Sequence, residues 1–174
     1  MMGNDKKLTQ REIDTLYIQA CHASDVKRIQ YAVEVLKANV NAKDKSGYAP
    51  AIVYLLAHGT ETNASDIELA ARYLITKGAN IDFKYGDKNK VGNSKPYLLY
   101  YVAKDTNLSD NFVHYMIKKI ESTKKPGEMQ EYLEYTPSTK YIEPISSIKK
   151  VIEAKRPKLF QKLVKEGLIN NRAL

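Results

Sequence analysis

The sequence predicts an all-α fold of repeated helix pairs, and three observations carry that prediction. Helix start signals recur along the chain, strand signals are confined to two short pieces, and one short motif returns at intervals of a few tens of residues. The strand-like pieces, Asn39-Val40-Asn41-Ala42 and Asn80-Ile81-Asp82-Phe83, are too short for a self-sufficient sheet. All-β and doubly wound α/β folds are therefore excluded.

Taken in order, residues 1–9 form a polar tail without the apolar run of a signal peptide. Thr9-Gln10-Arg11-Glu12 has capping-box spacing and starts a helix that carries Ile13, Leu16, Tyr17, Ala20 and Cys21 at 3.6-residue periodicity. Ser24-Asp25 caps a second helix, with Val26, Ile29, Val33 and Leu36 on its inner side. Ser65-Asp66-Ile67-Glu68 repeats the capping box before Leu69, Ala70, Tyr73 and Leu74. Ser109-Asp110 caps a helix carrying Phe112, Val113, Met116, Ile117 and Ile120. Pro50, Pro96, Pro144 and Pro157 each precede an apolar run and read as helix starts, where a missing N–H costs least. Lys124-Lys125-Pro126-Gly127 ends a helix, and Pro157 to Lys165 forms a last one with an apolar and a basic face.

Composition narrows the function classes. The 174 residues are 43% hydrophobic, a foldable globular composition. Cys21 is the only cysteine, so neither an internal disulfide nor a cysteine-rich zinc cluster can form. No window approaches the 18 apolar residues of a membrane span. The formal charge is +8, but residues 1–87 hold 11 basic and 11 acidic side chains while residues 88–174 hold 17 and 9. The whole excess lies in the second half.

The recurring motif is clearest in Lys37-Ala38-Asn39-Val40-Asn41-Ala42-Lys43-Asp44-Lys45-Ser46-Gly47-Tyr48-Ala49-Pro50 and Lys77-Gly78-Ala79-Asn80-Ile81-Asp82-Phe83: a helix end, a small residue, Asn, a β-branched residue, then Asn or Asp. It resembles the ankyrin repeat, with its G-A-x-V-N-A-x-D, turn glycine and T-P-L-H-x-A. Thr15-Leu16-Tyr17-Ile18-Gln19-Ala20, Ala49-Pro50-Ala51-Ile52, Lys95-Pro96-Tyr97-Leu98 and Glu143-Pro144-Ile145-Ser146 stand at the four T-P-L-H positions, and Lys165 to Asn170 closes the series with a weakened copy. The intervals Leu16 to Pro50, Pro50 to Pro96 and Pro96 to Pro144 are 34, 46 and 48 residues, so two copies are lengthened beyond the usual ~33. The family histidine is replaced by Ile18, Ile52, Leu98 and Ser146, which removes the hydrogen bonds that tie neighbouring repeats.

The resemblance implies one ankyrin-like solenoid over residues 10–174, in approximate repeats 10–44, 45–83, 84–138 and 139–170, with short β-turn or hairpin fingers. It implies a non-catalytic, monomeric module that binds another protein, with no cofactor. The positions that would reach a partner are Lys43, Lys45 and Tyr48 in the first finger; Phe83, Lys84, Tyr85, Lys88, Asn89 and Lys90 in the second; and Gln19, Val53, Leu99 and Tyr101 on the first helices. Tyr97, at the Leu of T-P-L-H, is expected in the core. The finger lysines would suit an acidic surface. Abundant Lys, Asn, Tyr and Ile match AT-rich microbial genomes and suggest a bacterial effector, inhibitor or adaptor, cytoplasmic or delivered into a host cell.

Two other classes compete. Lys149, Lys150, Lys155, Arg156, Lys158, Lys162 and Lys165 form a basic C-terminal segment that could bind nucleic acid or an acidic surface, though it lacks the interleaved aromatics of a single-strand binder. A solvated capping face is the plainer explanation. An enzyme would need His22 or His114 in a pocket with a carboxylate. Adjacent Cys21 and His22 point about 100° apart on a helix and cannot pair directly, and the Glu128, Glu131, Glu134 series reads as a solvated face. Neither a metal spacing nor a P-loop is present.

Overall fold

A computed structural model of the chain describes residues 7–45, 49–86, 95–137 and 145–170. Among the described residues it has nine α-helices and no strand. They fall into two compact units, residues 1–80 and 81–174.

The first unit contains α1 (Gln10–His22), α2 (Val26–Glu34), α3 (Ala51–Ala57) and α4 (Thr60–Thr76). Thr9 and Glu12 form the reciprocal capping box at α1, and the hydrogen bonds from Thr9 hold the Glu12 carboxyl below its ordinary pKa. Asp25 caps α2 by accepting from Arg28 N. Helices α1 and α2 pair, α3 and α4 pair, and the pairs meet first helix on first and second on second. Tyr17, Cys21, Ile29, Leu55, Ile67 and Leu74 are fully buried between them. Helix α4 joins two helical segments across Asn63, whose backbone is not helical (φ −122°, ψ 26°): the first follows Gly59 in the left-handed conformation, and Ser65 lies in the first turn of the second. The Ser65 signal thus falls within two residues of a real start, and what it does not announce is the short segment 60–62 ahead of it.

The second unit contains α5 (Leu98–Lys104), α6 (Asp110–Glu121), α7 (Glu128–Glu134), α8 (Ile148–Lys155) and α9 (Pro157–Lys165). Ser109 and Ser147 cap α6 and α8 by accepting from Phe112 N and Lys150 N. Pro157 occupies the first turn of α9 as the sequence suggests, whereas Pro50 is the residue before α3 and Pro96 lies two before α5. Pro144 is outside the described residues. Helix α5 packs on α6 and α8, α8 on α9 and α7. Leu99, Phe112, Met116, Ile117, Ile152 and Leu163 are fully buried.

In the second unit Arg156 ties helix pairs together. Its side chain is 4% exposed. Nε donates to Ala103 O at 2.9 Å, one Nη to Leu108 O and Asp110 Oδ1 at 2.8 Å, and the other Nη to Val102 O at 3.4 Å and Asp105 O at 2.5 Å. One guanidinium thereby fills the carbonyl acceptors left open at the end of α5 and pairs with a charge at the start of α6. Arg156 is consequently withdrawn from the basic surface that the sequence assigns to it.

Candidate partner-binding faces

In the first unit, the α1 surface and the chain at Lys43–Lys45 enclose an open groove of about 700 Å³, lined by Arg11, Asp14, Thr15, Ile18, Gln19, His22, Lys43, Asp44 and Lys45. Its α1 side is a helical stripe: Arg11, Thr15, Ile18 and His22 recur at four- and three-residue steps. Its other side is positioned by backbone and tyrosine contacts. Lys43 and Pro50 form an antiparallel bridge, and Ala51 N donates to Ala42 O at 2.9 Å. Tyr54 Oη donates to Asp44 Oδ2, and buried Tyr17 donates to Val40 O at 2.8 Å. Asp14 Oδ1 accepts from Asn39 N at 2.9 Å and from Gln10 Nε2 at 2.9 Å. Further along, Asn41 donates to Gly78 O at 3.1 Å and accepts from Asn80 N at 2.8 Å, linking the two copies of the recurring motif.

Gln19, Lys43 and Lys45, named from the sequence, are exposed and come together in this groove. Val53 does not join them. It is 2% exposed, and Leu99 of the second unit is 0% exposed, so neither can meet a partner. Both belong to seven-residue helices with five buried residues, α3 and α5, which are apolar on nearly every side and are covered accordingly. Tyr48, Lys88, Asn89 and Lys90 lie outside the described residues.

In the second unit, Lys84 and Tyr97 form an antiparallel bridge, with Tyr85 N donating to Pro96 O at 2.8 Å and Leu98 N to Phe83 O at 2.9 Å. Around it the tyrosines pack on each other. Tyr97 stacks on Tyr132 with ring centroids 4.0 Å apart and meets Tyr135 edge-on at 5.1 Å; Tyr101 meets Tyr85 edge-on at 5.1 Å and donates to Tyr85 O at 2.9 Å. Tyr97, expected in the core, is only half-buried because it precedes the first turn of α5 instead of lying within it. Lys84 Nζ sits 4.3 Å from the Tyr135 ring centre, and Lys124 Nζ sits 5.2 Å from that of Tyr132 and 2.6 Å from Asp82 Oδ2. The hydrogen bond to Asp82 raises the Lys124 pKa, with the carboxylate's charge adding to it. Tyr132 Oη is buried without a hydrogen-bond partner among the described residues, and burial pushes its pKa upward.

The histidines carry partners that spacing did not reveal. His22 stacks on Tyr54 at 4.3 Å and on His58 at 5.9 Å, while the two groove carboxylates are engaged by Tyr54 and Asn39. His114 Nε2 lies 2.8 Å from Glu166 Oε1, 52 residues later in sequence. Cys21 is buried, which pushes its thiol up to about 12, far from the thiolate a nucleophile needs. Among the described residues there is no group of three or more metal-ligating side chains, and no helix is long and apolar enough to cross a membrane. In the C-terminal basic segment, Lys149 is 3.5 Å from Glu134 and donates to Asn170 O, while Lys150, Lys155, Lys158, Lys162 and Lys165 are exposed. No protein-family model and no curated protein matches the chain.

Proposed function

We propose that the chain is a non-catalytic protein-binding module of ankyrin-like helix pairs with short hairpin fingers, and that it meets its partner through the first-helix and finger side of residues 10–45. The observation that carries this reading is the groove itself, where eight polar side chains and Ile18 border an open concavity between α1 and Lys43–Lys45. Supporting it are the first-on-first stacking of helix pairs in the first unit, the Asn41 link between motif copies, and the backbone bridges at Lys43 and Lys84. Left-handed φ recurs as well, at Lys37 (63°), Gly78 (100°) and Gly167 (77°), each just past a helix end in a copy of the motif.

Photo-crosslinking from the whole chain tests the proposal. A photoreactive residue at Gln19 should trap a specific protein that one at exposed Glu153 of α8 does not. Equal trapping at both positions, or none at Gln19, contradicts it. The five exposed C-terminal lysines favour a second reading, nucleic-acid binding; it requires affinity for DNA or RNA that falls steeply with salt.

A further inference from the structure

We infer that the groove of the first unit takes an acidic, extended segment of a partner protein, its carboxylates meeting Arg11, Lys43 and Lys45. The inference rests on the protein-binding proposal and adds the chemistry of what is bound.

By formal charge the lining is almost balanced, with three cations against Asp14 and Asp44. The hydrogen bonding is not balanced. Asp14 is held by Asn39 N and Gln10, and Asp44 by Tyr54 Oη, so both carboxylates already have internal donors. Arg11, Lys43 and Lys45 are exposed, and their side chains have no hydrogen bond or ion pair among the described residues. Unpaired cations in a concave site attract and orient an anionic partner.

Size and lining select among anions. About 700 Å³ is within the range of a site for a drug-sized molecule, far more than a single small anion fills. Ile18 gives an apolar floor, and the Gln19 amide can both donate to and accept from an extended peptide backbone. A continuous phosphate chain fits less well. It would run past Asp14 and Asp44, and among the described residues the lining holds no Tyr, Phe or Trp on which bases could stack. The groove lies in the half of the chain that is neutral by count.

The test is fluorescence anisotropy with the whole chain and three labelled probes: an octapeptide of alternating Glu and Gly, its Gln/Gly counterpart, and an eight-nucleotide oligothymidylate. The acidic peptide should bind at least about tenfold more tightly than the Gln/Gly peptide. Lys43→Glu with Lys45→Glu should remove that advantage while the circular dichroism spectrum stays unchanged, and Lys158→Glu with Lys162→Glu should leave it within about twofold. The assignment is overturned if the two peptides bind alike, if neither binds, or if the C-terminal pair of substitutions abolishes binding instead. Oligothymidylate binding as tightly as the acidic peptide and lost in the Lys43/Lys45 variant would make this a phosphate site and overturn it too. If the protein trapped from Gln19 is still trapped by the Lys43/Lys45 variant, the acidic assignment fails and the protein-binding proposal stands.

Discussion

The two units use similar side chains to opposite ends. Around Lys43–Lys45, lysines project beside an open groove and the nearby tyrosine, Tyr54, is turned onto Asp44. Around Lys84, the lysines lie over tyrosine rings or on Asp82, and the tyrosine hydroxyls of Tyr101 and Tyr135 donate to backbone carbonyls. The difference is one of local supply. The second unit has Tyr85, Tyr97, Tyr101, Tyr132 and Tyr135 close to its bridge, enough aromatic faces to take up its lysines. Near the first unit's bridge the described tyrosines, Tyr17 and Tyr54, are turned onto Val40 O and Asp44, and Lys43 and Lys45 stay exposed. A count of lysines and tyrosines per half would rank the second unit as the more inviting surface; the contacts reverse that order.

The largest effect that would sharpen this contrast is structural. Arg156→Ala leaves the acceptors of α5 and Asp110 without their buried donor and should cost about 3–5 kcal/mol. Hydrogen exchange should accelerate across residues 98–121 and 148–165, and unchanged protection there would show that Arg156 is not the tie between these helix pairs.

Next is the comparison of lysines. Lys124→Ala removes a 2.6 Å bond to Asp82 and uncovers the Tyr132 ring, and should cost about 1–2 kcal/mol in urea unfolding. Lys45→Ala should change stability by less than about 0.5 kcal/mol. Equal costs would erase the distinction between lysines absorbed by the fold and lysines left for a partner.

The smallest effect concerns Cys21. Its pKa is raised from 9.0 to about 12 by burial, so the folded state binds the proton more tightly than the unfolded chain. This contribution to stability is complete below pH 9 and declines as the pH rises toward about 12. Accordingly, iodoacetamide at pH 8 should leave the native thiol unmodified and label it in urea. Rapid labelling of the native chain would show that α1 opens readily beside the groove.

Local signals were legible and long-range ones were not. The caps at Thr9, Asp25 and Ser109 follow from residues three apart, and each is found. The stripe Arg11, Thr15, Ile18, His22 could have been read from the same periodicity, since all four lie on α1. Ser65-Asp66-Ile67-Glu68 falls in the first turn of the segment that begins after the Asn63 kink; the segment at 60–62 before the kink carries no such signal. Nothing local marks Arg156 as buried: its carbonyl acceptors are 48 to 54 positions away and its carboxylate partner Asp110 is 46 away, and carbonyls have no sequence signature. Val53 and Leu99 are expected on the partner face by the family resemblance alone; the apolar character of their helices is the better guide.

The central claim is that the open, unpaired cations of the first unit are the ones that act. Chemical-shift mapping of the Glu/Gly octapeptide on the whole isotope-labelled chain tests it most directly. The account predicts perturbed amides at residues 11–22 and 43–45, with residues 82–86, 95–101 and 124–135 unmoved. Shifts centred on the tyrosine and lysine cluster of the second unit, with the α1 amides unchanged, would contradict it.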